Sequence, residues 1–559
     1  MKKAFIYLGG LLMLLFFVYV TTPTIAYGFM LFPILILVSG GGIQYFLSKS
    51  GANENSKYSK ILPIFLGLVA GYLVLANVFS SWALFHSDDY RNLIGTVKEG
   101  KDFSERIAPI STEDIRIVDK GMARRLGDKM LGSKPALGSQ TDLGEFSIQS
   151  VNGKLYWVAP LLHSGFFKWL SNGDGTPGYV MVSANNERDV RLVGTVGGAP
   201  VRIKYQPNAY FFDNLYRHTY FDGNITRGLT DFTFEIDDNG KPYWVITGYK
   251  KKIGFSGNEA EKVIVMDPAT GDTEYFDIDK APAWIDRIQP EHFIASQLKD
   301  WGEYVHGYWN FSNQGKLTIT DGLTLVYGSN GKSYWYTGLT SVGADDGTVG
   351  FALVDTRTKQ TTWYPLTGAT EEAARQSAMG KVQEKGYEAS FPVAYNINNV
   401  PTYVMSLKDN AGLVKMIAMV SVQDYSIVGV GANVKEALRD YKGVLNGKGN
   451  AIATSSNVAS FEIETEVVRV GADTRNGNTF YYMILKGFEN KVFVGGSTIS
   501  NEIPITTVGD RVKVSYDDGG NELVDINSFD NLEFQLQKTE GQQKLERYFE
   551  ATAKANIEK

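Results

Sequence analysis

Three long apolar stretches open the chain, from Ala4 to Val20, Gly28 to Leu47 and Ile61 to Phe85. About 20 apolar residues cross a bilayer as a helix. The second and third stretches reach that length with no charged residue; the first, at 17 residues, is at the short end. Lys2 and Lys3 precede the first, Lys49, Lys57 and Lys60 lie between the second and third, and the turn Thr21–Tyr27 is uncharged. The positive-inside rule then puts the N-terminus and the lysine loop in the cytoplasm and everything past Phe85 on the outer side, with Trp82 and Tyr90 at the outer interface. Thr24-Ile25-Ala26 is a weak signal-cleavage site; cleavage there would leave two spans and the same side for the rest. Gly40, Gly41, Gly42, Gly67 and Gly71 are small enough for close helix approach.

After residue 85 the pattern changes to short β-rich runs separated by turn residues. Asn152-Gly153-Lys154-Leu155-Tyr156-Trp157-Val158 recurs as Asn239-Gly240-Lys241-Pro242-Tyr243-Trp244-Val245 and as Asn330-Gly331-Lys332-Ser333-Tyr334-Trp335-Tyr336, at spacings of 87 and 91 residues. A degenerate fourth copy is Asn398-Asn399-Val400-Pro401-Thr402-Tyr403-Val404. Each is followed by a second run: Gly178–Ser183, Lys262–Asp267, Gly350–Asp355 and Lys415–Ser421. Helical patterns occupy Thr112–Leu131, with Ser111 or Thr112 as cap, then Trp284–Val305, Thr370–Lys385 and Asn433–Leu445. Recurrence at a fixed period implies one supersecondary unit used several times. The unit predicted is an antiparallel meander with a helix on one face. Asn-Gly turns its hairpin, and the Tyr-Trp pair starts the return strand with one ring toward the core and one outward.

The stretch Thr370–Leu445 reads helix, four strands, helix, and in that order it resembles the PepSY and cystatin-like modules of exported bacterial proteins. The resemblance rests on element order and implies a binding, inhibitory or spacer role. Residues 446–459 are Gly, Ser, Asn and Ala rich and read as a linker. Five short alternating runs follow: Phe461–Val470, Thr479–Leu485, Lys491–Val494, Arg511–Tyr516 and Leu523–Phe534. They predict a small β-barrel of OB-like or SH3-like type.

The expected fold class is mainly β with α+β modules. The expected organisation is a transmembrane region over 1–85, a connector over 86–110, and module 1 over 111–230. Module 2 covers 231–310, and modules 3 and 4 cover 311–445, PepSY- or cystatin-like at 370–445. A linker over 446–459, a small barrel over 460–536 and a polar tail over 537–559 complete the chain.

Charge narrows the function. The chain is −6 overall, but residues 86–559 carry 50 basic and 60 acidic side chains. With no basic cluster, a nucleic-acid partner is not expected. There are no cysteines, which excludes disulfides, thiol catalysis and thiolate metal sites; exported proteins of Gram-positive bacteria and their phages often share this trait. The five histidines, His86, His163, His218, His292 and His306, form no metal-binding spacing. No nucleophile elbow, Walker loop or kinase signature is present. Asn172-Gly173-Asp174-Gly175-Thr176 reads as a hairpin turn, and Asp237-Asp238, Asp345-Asp346 and Asp517-Asp518 as solvated turn acids. No catalytic, cofactor or metal residue is assigned.

The densest aromatic segment is Tyr205–Tyr220. Its candidate recognition surface is Tyr205, Tyr210, Phe211, Tyr216, Arg217 and Tyr220, because Tyr and Arg concentrate at interfaces; core packing is the competing assignment for such rings. The expectation is a membrane-anchored, non-enzymatic binding or scaffold protein of the cell envelope with a protein or envelope-polymer partner. The alternatives are a cell-wall or peptide hydrolase using carboxylates assembled by folding, and an extracytoplasmic sensor acting through a membrane partner.

Overall fold

The computed structural model describes residues 2–49, 61–101, 107, 114–320, 322–328, 331–343, 347–397, 400–447, 459–475, 478–497, 499–518 and 522–533. The chain divides into two compact units. One holds Met1–Ile397 with Pro401–Ser426, the other Asn398–Val400 with Ile427–Lys559.

In the first unit, α1 (Lys2–Thr21), α2 (Leu31–Lys49) and α3 (Ile61–Ser81) are each long and apolar enough to cross a membrane. A Cβ on Gly40 would meet Leu66 at 2.6 Å, so this glycine does set how closely α2 and α3 approach. Gly41, Gly42, Gly67 and Gly71 have open space around them and do not serve as expected. The ends of α1 and α3 and the turn before α2 rest on the folded part. Ile25 N–H donates to Ile225 O (2.8 Å), the Tyr220 hydroxyl to Pro23 O (2.7 Å) and Phe255 N–H to Ser81 Oγ (2.7 Å).

Three antiparallel meander sheets follow, together with most of a fourth. The first contains Thr141–Leu143, Ser147–Val151, Lys154–His163, Tyr179–Ser183 and Val190–Val193. The second is Gly228–Ile236, Pro242–Ile253, Ser256–Met266 and Thr273–Asp277 in sequential order. The third contains Leu317–Ile319, Thr324–Tyr327, Ser333–Ser341, Gly350–Asp355 and Thr361–Tyr364, and the connector strand Val97–Glu99 joins its edge in parallel. The fourth, within this unit, pairs Glu388–Ala389, Val393–Ile397, Val400–Lys408 and Val414–Ser421.

Trp157, Trp244 and Trp335 each sit on the strand after the hairpin. Each is flanked by an apolar residue on both neighbouring strands: Ile148 and Val182, Phe234 and Met266, Leu325 and Val354. Each buried indole N–H donates to a backbone carbonyl of the preceding connection, at Val118 (2.8 Å), Tyr205 (2.8 Å) and Gln289 (2.9 Å). The expectation of one outward ring fails. Tyr156 and Tyr334 are 8% and 2% exposed, because the opposite face of each sheet is covered as well. Tyr156 joins Phe234 and Trp244 in one core, while Trp157 and Trp335 share another. Asn152 and Gly153 both adopt positive φ (50° and 74°), as a two-residue hairpin needs. At the second copy only Gly240 does (84°), in a longer turn closed by Gly240 N–H on Asp237 O (2.9 Å).

Helix boundaries shift where extended chain is needed. The first helix spans Lys120–Gly132, not Thr112–Leu131, capped by Asp119 Oδ1 on Met122 N–H (2.8 Å). The stretch before it is held extended, with Ile117 and Val118 N–H both on Ala184 O. Ser111 and Thr112 lie outside the described residues. The helix expected over Trp284–Val305 begins at Glu291, after Pro290. The helix at Glu371–Lys381 is capped by Thr370, as its sequence implies. Asn172 ends the short helix Phe166–Ser171 and makes no hairpin. The expected 230/231 module boundary falls inside the strand Gly228–Ile236.

The second unit contains the helix Val434–Gly447 and a closed five-stranded barrel. Its strands are Ala459–Arg475, Asn478–Leu485, Val492–Gly496, Arg511–Asp518 and Leu523–Asn531. The fifth inserts between third and fourth, parallel to the third, and the fourth closes on the first. Val467, Met483, Phe493, Val512 and Val514 fill the interior. Most of the expected linker and all of the tail lie outside the described residues.

Candidate functional site

The aromatic segment divides between the core and two clefts. Tyr220 is 2% exposed, and Tyr205 is half-buried with its ring tilted against His218 (4.2 Å), so neither belongs to an open surface. Tyr210, Phe211 and Arg217 line a pocket of about 470 Å³; Tyr216 turns the other way into a cleft of about 650 Å³. Asn214 makes this split: its Oδ1 accepts Arg217 N–H (3.3 Å), starting the helix Leu215–Phe221, and its amide binds Pro207 O and Ala209 O.

The smaller pocket borders α1. Tyr19 lines it, packs edge-on against Phe212 (5.4 Å) and lies under the Arg217 guanidinium (5.1 Å). His163, at the end of the strand Lys154–His163, is 1% exposed, and neither ring nitrogen has a hydrogen-bond partner. Its backbone is fixed by Gln206 Oε1, which accepts His163 N–H at 2.7 Å. Burial lowers its pKa, against a weaker opposing pull from Asp213. Arg217 Nε is likewise buried and unpartnered. Phe211 has φ of 51°, a strained value for a bulky side chain, where strain marks a constrained site.

Exposed aromatics surround this end of the molecule. Phe167 (79% exposed), Leu170 (61%) and Phe212 (59%) lie beside the pocket. Trp309 (70%) and Phe311 (71%) form a second group, joined through Tyr308 to Trp82 at the end of α3 (6.4 Å).

The larger cleft carries charge of both signs, Lys120 and Arg287 against Glu145 and Asp231. Asp231, Tyr216, Phe232 and Arg287 line it. Asp231 has φ of 49°, and its carboxylate stands 4.0 Å from His292 Nδ1. Burial raises its pKa, and Arg287 and His292 only partly counter that. Burial also raises Glu291, with the charge of Asp231 adding to it. Behind the cleft, burial pushes Glu235 up to about 7 and Asp286 up to about 6. Asp286 Oδ2 accepts Ser150 N–H (2.6 Å) and the Tyr327 hydroxyl (3.1 Å). Sequence reasoning named none of these acids. The one available signal was a carboxylate at an inward position, Glu235 in the strand Gly228–Ile236. By contrast Asp237 binds turn N–H groups, as expected of a turn acid.

No protein-family model matches the chain, and no curated protein does. Among solved structures it is similar to a Bacillus subtilis levansucrase (11% identity, 77% of this chain and 98% of that one, TM-score 0.20). It is also similar to a Bombyx mori β-fructofuranosidase of glycoside hydrolase family 32 (8% identity, 74% and 70%, TM-score 0.17). At these scores the likeness carries neither fold nor function to this chain.

Proposed function

We propose that the chain is a membrane-anchored binding protein of the cell envelope, its folded part on the outer side and its aromatic face turned to the bilayer surface. One observation carries this reading. The exposed aromatic groups at 166–170, 210–212 and 308–311 pack beside the ends of α1 and α3, through Tyr19–Phe212 and Trp82–Tyr308 contacts. Trp309 and Tyr210 each have an apolar body and a polar end, which favours the membrane–water interface, and the exposed Phe167, Phe211, Phe212 and Phe311 add apolar surface beside them. The lysine asymmetry assigns the outer side. The meander sheets are then copies of one module that hold this face in place, a view supported by the thrice-used indole-to-carbonyl bond. In the second unit, the strand order and the parallel third and fifth strands favour an OB-like barrel over an SH3-like one.

The test reconstitutes the full chain in vesicles whose acyl chains carry bromine near the headgroup. Tryptophan fluorescence should be quenched, and Trp309→Phe should remove part of that quenching. Digestion of residues 86–559 by protease added to intact protoplasts should accompany it. An unquenched Trp309 or a protected C-terminal region overturns the reading.

The strained Asp231 between Glu291, Arg287 and His292 favours a second reading, a hydrolase using acid–base carboxylates. Release of reducing ends or amines from cell-wall fragments, abolished by Asp231→Asn, would establish it. No release by the full chain would remove it.

A further inference from the structure

We propose that the pocket between Tyr19, His163 and Arg217 binds the headgroup of a zwitterionic phospholipid bearing a primary ammonium, a phosphoethanolamine group. The inference rests on the bilayer-facing orientation above and adds a ligand to it.

Within the pocket Arg217 Nη1 donates to Phe211 O (3.0 Å) and the Asn214 amide to Pro207 O and Ala209 O, but two side chains keep open polar atoms. His163 is almost wholly buried with both ring nitrogens unpartnered, and Arg217 Nε is buried and unpartnered beside it. Leaving such groups unpaired costs about 1–3 kcal/mol each, so they mark a place built for something else to bind. An imidazole N–H and a guanidinium suit a phosphoryl oxygen. The same wall carries Asp142, whose carboxylate makes no hydrogen bond or ion pair among the described residues. A bare anion would meet repulsion from Asp142. A ligand with a phosphate and an ammonium a few ångströms apart places one charge on Arg217 and the other on Asp142, with Tyr19, Tyr210 and Phe211 lining the space as π faces for the cation. A volume of about 470 Å³ lies within the range of small-molecule pockets. The source is lipid rather than solute because one wall, Tyr19, belongs to a helix able to cross the membrane, and the exposed Phe212 and Phe167 adjoin the lining, Phe212 on Tyr19 and Phe167 through Phe166 on Tyr210. Acyl chains can stay in the bilayer while the headgroup enters.

The full chain in detergent is examined by native mass spectrometry with equal amounts of phosphatidylethanolamine, phosphatidylglycerol and phosphatidylcholine, and separately with soluble phosphoethanolamine. Phosphatidylethanolamine should be retained at least about fivefold over the other two, a preference of about 1 kcal/mol. Asp142→Asn, a near-isosteric change at an exposed strand position, should abolish that preference. Arg217→Gln should lower retention of all three lipids about tenfold. Equal retention of the three lipids, or a preference untouched by Asp142→Asn, overturns the proposal. Soluble phosphoethanolamine binding as tightly as the lipid overturns the lipid source. Trp309 lies outside this pocket, so its quenching reports the orientation separately. Quenching without headgroup preference defeats this inference alone, and preference without quenching defeats the orientation alone.

Discussion

The two clefts share Pro207 as a common wall, and each holds one non-glycine residue in the left-handed region, Phe211 in one and Asp231 in the other. They differ in how buried charge is handled. Behind the larger cleft, Asp286 accepts two hydrogen bonds and Glu235 Oε1 one from Thr233 (3.0 Å), while Glu235 Oε2 and Arg287 Nε have no partner, and burial holds both carboxyls toward their neutral form. In the other pocket His163 and Arg217 Nε are left without partners. A buried carboxyl partnered from within, as Asp286 is, stabilises the fold. A set of buried groups left open costs stability until a ligand completes it. The first pattern belongs to architecture and the second to binding.

If that contrast is right, the largest effect lies behind the larger cleft. Asp286→Ala strands Ser150 N–H and leaves the Tyr327 hydroxyl only a long bond to Ile148 O (3.4 Å), and should cost about 2–4 kcal/mol, read as a lowered midpoint in denaturant melts of the full chain. A loss below 1 kcal/mol would mean that water already serves those groups.

Glu235→Gln comes next and carries a sign. The folded carboxyl titrates near 7 against an ordinary 4.5, chiefly because it is buried. Between those values the folded chain keeps a proton that the unfolded chain has released. Stability contributed by this group is therefore complete below pH 4.5 and lost as pH rises through 7, on the order of 3 kcal/mol. Glutamine keeps the neutral shape, so the variant should exceed the parent at pH 8 by up to about that amount and match it near pH 4.5. Melts at the two pH values decide it.

Asp231→Gly should gain about 0.5–1 kcal/mol by releasing the positive φ, less the entropy glycine adds to the unfolded chain. Were Asp231 a catalytic acid, the same variant would be more stable and inactive, which separates the hydrolase reading from a merely strained bulge.

The difference between the clefts was only partly legible in the sequence. Tyr-Trp after Asn-Gly located the meander strands because hairpin chemistry and burial are local, and the barrel's alternating runs closed as expected. The helix expected from Thr112 failed because Ile117 and Val118 are held extended by a carbonyl at Ala184, a contact no local pattern encodes. The segment Tyr205–Tyr220 was found by its aromatic density, but its division between two clefts depends on Asn214 and on Tyr19 nearly two hundred residues earlier. Asp231, Asp286 and Glu291 converge only through the pairing of sheets and connections, and nothing in their spacing announced it.

A comparably small effect tests the open pocket. His163 has an ordinary pKa of 6.5, lowered in the fold by burial. Asp213, Asp142 and Arg217 are the charged groups around it, and the charge of Asp213 favours the protonated ring without outweighing burial. The unfolded chain takes up a proton below 6.5 that the folded chain refuses. Stability from this group is therefore present above that value and lost as pH falls, opposite in sign to Glu235. His163→Leu removes two unpartnered nitrogens and their titration. At pH 7.5 its stability should exceed the parent's by about 1 kcal/mol, since unpaired buried nitrogens are removed and no hydrogen bond is broken. At pH 5 the margin should be wider. A large loss at pH 7.5 would mean that the imidazole already has a partner in the ligand-free protein, and the contrast between a partnered Asp286 and an open His163 would fail.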